Sequence, residues 1–119
     1  MDVAKIIAGV MDEWQAGIDA HDPGRVAAVF TEDAVFQGLR PYGVGRNAVT
    51  DYYNSQPTGM TVVYRILESR SPTVDVVLGY LATRFTYLDR PAVDLAIGVV
   101  LTLHDERWQV AQYQASPMP

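Results

Sequence analysis

The sequence predicts an α+β fold in which three N-terminal helices pack on an antiparallel sheet built from the C-terminal half. Three observations carry this. Apolar residues recur at helical spacing up to about residue 56. Long runs rich in Val, Thr, Tyr and Leu follow. Three turn signals then cut those runs into four consecutive strands, the pattern of a meander.

The first helix is predicted over Asp2–Ala20. Val3, Ile6, Ile7, Val10, Met11, Trp14 and Ile18 fall on one stripe. Asp2 is placed to cap the free amides, and Gly17 weakens the last turn. His21-Asp22-Pro23 is a restart signal, with Asp22 as cap and Pro23 at the first helical position. The second helix then runs Pro23–Phe30, with Val26, Val29 and Phe30 facing inward. His21 has no second His and no ligand-spaced carboxylate pair beside it, so no metal site is expected. Thr31–Asp33 ends this helix, and Ala34–Gln37 is a short strand. Asp33 is a candidate general base, but an Asp here also suits hydrogen-bonding of its own turn.

Gly38–Gly43 is a loop carrying Pro41 and Tyr42. The third helix runs from about Gly45 to Gln56, with Val49, Tyr52 and Tyr53 on its inner side. Arg46 lies in its first turn, where the helix dipole disfavours a cation. A nearby carboxylate or loop carbonyl is its expected partner.

Breaks at Ser71–Thr73, Leu88–Pro91 and Asp105-Glu106 bound strands Thr61–Arg70, Val74–Tyr87, Ala92–His104 and Arg107–Ser116. In the last hairpin, His104 opposite Arg107 places Leu103 against Trp108, Leu101 against Val110, Val99 against Gln112 and Ile97 against Gln114. Opposed residues share a face. One face is then a wall of Leu95, Ile97, Val99, Leu101, Leu103, Trp108 and Val110, with Gln112 and Gln114 set into its far end. An even-length turn at Leu88–Pro91 adds Val76, Leu78, Tyr80, Ala82 and Arg84 to this wall. A single bulge would reverse such parities. The opposite face carries Val77, Leu81, Thr83, Phe85, Ala96, Gly98, Val100, Ala111, Tyr113 and Ala115. Flat and apolar, it suits a two-fold homodimer packed sheet against sheet.

Composition bounds the rest. The 119 residues suit one domain, and a hydrophobic fraction of 49% is that of a globular chain. No apolar run reaches the ~18 residues of a membrane span. The first residues do not read as a basic stretch followed by a hydrophobic one, so no secretory signal is expected. There are no cysteines, which excludes disulfides and thiolate chemistry and fits a cytoplasmic protein. A net charge of −5 without a basic cluster argues against nucleic acid.

Several segments carry a family resemblance. They are Trp14 with His21-Asp22; Phe30-Thr31-Glu32-Asp33-Ala34-Val35-Phe36; Gly45-Arg46-Asn47-Ala48-Val49 with Tyr52-Tyr53; and Trp108-Gln109-Val110 followed by Ser116. In this order they resemble the nuclear-transport-factor-2-like superfamily, and within it the SnoaL-like, SgcJ/EcaC-type small bacterial proteins, over nearly the whole chain. The resemblance implies a cone-shaped, cystatin-like roll: helices close the concave side of a strongly curved antiparallel sheet, with an internal pocket between. Members include cyclases, ketosteroid isomerases, dehydratases, epoxide hydrolases and non-enzymatic binders, so fold alone does not fix activity.

The chain departs from the enzymatic patterns. Its first helix offers Trp14 where ketosteroid isomerases use Tyr, and no Asp-Arg-Asp relay surrounds Arg84. The cyclases' acid near the end of the sheet falls where this chain has Gln112 or Gln114, and a glutamine cannot act as a base.

The expected pocket is lined by Trp14, Phe30, Phe36, Tyr42 and Tyr53, with Tyr80, Arg84, Gln112 and Gln114 as polar handles. It suits a small hydrophobic or aromatic, polyketide-like ligand, bound without cofactor or metal. A small-molecule binder of bacterial secondary metabolism is the first expectation. A cofactor-independent cyclase or isomerase is the second, with Asp33 or His104 as base. A structural dimerisation module whose interior is filled by its own side chains is the third. The ligand reading requires both amides inside and a hollow beneath the helices.

Overall fold

A computed structural model describes residues 1–118. Helix α1 (Val3–Asp19) is followed by α2 (Pro23–Ala27), β1 (Phe30–Gln37), β2 (Gly43–Val44) and α3 (Arg46–Asn54). The meander comprises β3 (Thr61–Thr73), β4 (Val76–Thr86), β5 (Val93–His104) and β6 (Arg107–Pro117).

The helix starts follow from their caps. Asp2 accepts from the Lys5 amide and Asp22 from the Arg25 amide, each at 3.1 Å, with Pro23 in the first turn of α2. The stripe on α1 is inside: Ile7, Val10, Met11, Trp14, Gly17 and Ile18 are buried. Gly17 is there for contact. A Cβ on it would stand 2.8 Å from Val26 Cγ2 and 3.0 Å from Val26 N, so its hydrogen lets α2 lie directly on α1.

The sheet is six-stranded, in order β2-β1-β6-β5-β4-β3. The predicted four-strand meander is antiparallel throughout, but the sheet is mixed, because β1 runs parallel to β6. Strand β1 also starts at Phe30, four residues earlier than expected. The Val110 amide donates to Val29 O at 2.8 Å, and this pairing ends α2 sooner than local propensity alone suggests. Pro72 does not end a strand. It sits near the end of β3, an edge strand, where a missing N–H is tolerated. Helix α1 covers the opening of that edge: Gln15 Nε2 donates to Val62 O (2.8 Å), and the Val62 amide donates to Asp19 Oδ1 (3.0 Å).

Two register details decide which side chains enter the cone. The hairpin pairs as predicted from His104↔Arg107 to Leu101↔Val110, but Val100 then faces Gln112. Ala111 is thus an extra residue, a β-bulge, and it reverses β6 beyond it. The β4–β5 connection also has the opposite parity to that expected, with Thr83 opposite Leu95 and Arg84 opposite Asp94. The concave face is therefore Val77, Leu81, Thr83 and Phe85 on β4, Leu95, Ile97, Val99 and Leu101 on β5, and Val110, Tyr113 and Ala115 on β6, all buried.

Gly17→Ala is expected to destabilise the protein in urea unfolding. Overpacking against Val26 costs about 1–3 kcal/mol, more than the ~1 kcal/mol of helix propensity that Ala returns. A variant as stable as the parent would show that the α1–α2 contact yields freely.

Candidate functional site

The place where this architecture leaves room for a guest is the concave side of the sheet, and there the chain has filled it. Trp14 lies at the centre, 0% exposed. Its ring meets Phe85 edge-on at 6.1 Å and Tyr113 at 6.0 Å. Phe36 stacks on Tyr113 at 4.8 Å, and Phe30 meets Phe36 edge-on at 5.7 Å. Such pairs contribute about 0.5–1.5 kcal/mol each beyond their burial.

A polar chain threads the cluster. Trp14 Nε1 donates to Tyr53 OH (3.1 Å), and Tyr53 OH donates to Tyr113 OH (3.4 Å). Three elements meet in it: α1 supplies the indole, α3 the middle hydroxyl and β6 the last. Burial pushes both phenols above their ordinary range; the bond donated by Trp14 partly offsets this at Tyr53, and the neighbouring Tyr53 adds to it at Tyr113. No carboxylate is buried among the described residues; Thr31, Thr83 and Gln109 are the buried polar side chains.

Of the residues predicted to line a pocket, Trp14, Phe30, Phe36 and Tyr53 converge in this interior. The other five do not. Tyr42 stands in the 38–43 loop at 66% exposure, since that loop turns away from the cone. Tyr80 and Arg84 are on the outer face because of the β4 parity. Gln112 and Gln114 are exposed on the outer face because of the Ala111 bulge. Tyr113, which sequence reasoning placed outside, takes their place. Its signal was present: apolar residues on β6 fall at 108, 110, 111, 113 and 115, and the adjacent pair Val110-Ala111 breaks the alternation and marks the bulge.

What remains of a pocket is a cavity of about 10 Å³ at the mouth of the cone, beside Gly38, Tyr52, Gln56, Met60, Phe85 and Tyr113. That is about the room one water needs. Once Tyr53 donates to Tyr113, the Tyr113 hydroxyl hydrogen has no acceptor among the described residues.

Asp33 and His104 lie elsewhere, together in an outer groove of about 430 Å³ with Thr31, Glu32, Arg46 and Gln109. Both are engaged locally. Thr31 Oγ1 donates to Asp33 Oδ1 at 3.1 Å, the turn-bonding role, and His104 Nε2 is 2.9 Å from Thr102 Oγ1. Arg46 stands 3.8 Å from Glu32, the expected carboxylate partner, and donates from Nε to Phe30 O (2.8 Å), a carbonyl of strand β1 rather than of a loop. Among the described residues, no group of three His, Cys, Asp or Glu side chains could hold a metal.

No family model and no curated protein matches the chain. Solved structures do. A domain of unknown function from Nostoc punctiforme aligns with a TM-score of 0.86 at 16% identity, over 98% of this chain and 78% of that one. A candidate calcium/calmodulin dependent protein kinase II association domain from Xanthomonas campestris aligns at 0.85 and 21%, over 95% and 86%. A ketosteroid isomerase-like protein from Erwinia carotovora atroseptica aligns at 0.79 and 22%, over 99% and 98%. The first is described as having a cystatin-like fold. That is the fold of this chain. At these identities the likeness is one of fold alone.

Two outcomes test the interior. Tyr53→Phe strands the Trp14 N–H and should cost about 1–3 kcal/mol in urea unfolding; Tyr113→Phe leaves that bond intact and should cost less. Equal losses would place the key contact elsewhere.

A phenol with a raised folded pKa contributes stability that is complete below its unfolded value of about 10 and is lost as pH rises through the folded value. Stability should therefore fall above about pH 10, and Tyr53 and Tyr113 should ionise only as the protein unfolds. This is read as a late step in tyrosinate absorbance. Early ionisation of all seven tyrosines would contradict a closed core.

Proposed function

We propose that residues 1–119 act as one domain whose work is association, a second copy of the chain packing on the outer face of the sheet. The observation that carries this is the contrast between the two faces. The concave side is closed by its own aromatic rings. The outer side exposes Leu78 and Tyr80, the latter at 44%, beside Gly98 and away from the 88–91 end of the sheet. A flat sheet face of this kind is costly to leave wet and suits an isologous contact. The homodimer expected from the sequence was also assigned to the outer face; Ala96, Gly98 and Val100 remain there, whereas Val77, Leu81, Thr83, Phe85, Tyr113 and Ala115 face the cone. The similarity to a candidate association domain supports the same reading.

A second reading is favoured by the Tyr113 hydroxyl. A small hydrophobic or aromatic ligand with a carbonyl or phenolate oxygen would find a hydrogen-bond donor at the floor of the mouth, once Tyr52 and Gln56 move aside. The link to polyketide-type metabolism rests on the sequence resemblance, and neither shape nor lining adds to it. A cyclase or isomerase mechanism lacks support inside the cone, where no base is buried; Asp33 and His104 would have to act from the outer groove.

Sedimentation velocity tests the first reading. A dimer is expected at micromolar concentration, and Tyr80→Glu should yield monomers with little change in thermal stability, because the position is half exposed. A parent protein that stays monomeric as concentration rises would refute association through this face.

A further inference from the structure

The outer face carries a second feature, at the end of the sheet next to the 88–91 turn. The register pairs Val63 with Arg84 and Arg65 with Ala82, so both arginines rise from the same face on neighbouring strands. Diagonal neighbours of this kind have Cα atoms about 7–8 Å apart, a spacing from which two arginine side chains can converge on one anion. Asp94, opposite Arg84, gives one contact at 3.5 Å between exposed side chains, a weak pair in water. A guanidinium has five N–H donors, so most of those on Arg84 are unused. Arg65 makes no hydrogen bond or ion pair among the described residues. Arg40, in the loop after β1, likewise makes none among the described residues, whereas Arg25, Arg46, Arg70, Arg90 and Arg107 each hold a carboxylate or a carbonyl. Two cations against one carboxylate make this a locally positive spot on a chain of net charge −5.

Arg65 and Arg84 border a groove of about 370 Å³ that also has an apolar surface, from Val63, Ala82 and Met118. That volume is in the range of small-molecule sites. We propose that this groove binds an amphipathic carboxylate, its headgroup held between Arg65 and Arg84 and its flat apolar body lying on Val63, Ala82 and Met118. The planar guanidinium matches a carboxylate two bonds at a time, which an ammonium does not. Asp94 competes with the ligand for Arg84.

The test titrates the protein with 1-naphthaleneacetate and with its uncharged amide, followed by two-dimensional NMR. The acid is expected to bind about tenfold more tightly than the amide at low salt, with the advantage shrinking as salt screens it. The double variant Arg65→Gln, Arg84→Gln should bring the ratio to about one, and Asp94→Asn should tighten the acid by freeing Arg84. All three positions are exposed, so the variants keep the fold. Equal binding of acid and amide by the parent, a preference that survives in the double variant, or weaker binding in Asp94→Asn would overturn the proposal. Sedimentation of the same variants reads the dimer separately, so failure of one reading is not mistaken for failure of the other.

Discussion

The structure turns on one extra residue. Ala111 bulges out of β6 between the pairs Leu101↔Val110 and Val100↔Gln112. Side chains on a strand alternate, so this single insertion exchanges the faces of everything after it. With the bulge, Tyr113 and Ala115 enter the cone while Gln112 and Gln114 leave it. Tyr113 stacks on Phe36 and accepts from Tyr53, which in turn accepts from Trp14. Without it, two amides would sit among Trp14, Phe36 and Phe85, each needing partners that those rings lack. A buried amide left unpaired costs about 1–3 kcal/mol.

The bulge therefore separates two surfaces with different work. Inside, an indole and two phenols from α1, α3 and β6 lock helices to sheet and leave room for little more than a water. Outside, the same strands present a flat face that is apolar around Tyr80 and Gly98 and cationic at Arg65 and Arg84. A fold alone does not fix activity, and the association proposed above uses the outer face.

Much of this was legible in the sequence, for physical reasons. The caps at Asp2 and Asp22, the stripe on α1 and the Asp105-Glu106 corner are local signals, and each lies where propensity put it. Arg46 was legible because a cation at a helix start must find an acceptor. What failed was parity. The 88–91 connection gives no local sign of whether it shifts the register by one, and the β6 bulge showed only as the adjacent apolar pair Val110-Ala111. The parallel pairing of β1 with β6 involves residues about eighty apart in sequence, and no local pattern could have announced it. So Trp14, Phe30, Phe36 and Tyr53, on helices or on β1, face the interior as their local patterns suggested. The four on the meander, Tyr80, Arg84, Gln112 and Gln114, were reversed, and Tyr42 went with its loop.

The most direct measurement of this account is a nuclear Overhauser spectrum of the indole N–H of Trp14 and the side-chain amides of the two glutamines. The account predicts cross-peaks from the Trp14 N–H to the rings of Tyr53 and Tyr113, together with Gln112 and Gln114 amides that exchange freely with water and show no contact to Phe36. Glutamine amides that are protected and close to the Phe36 or Trp14 rings, with Tyr113 free of them, would place β6 in the opposite phase and remove the closed interior on which the rest depends.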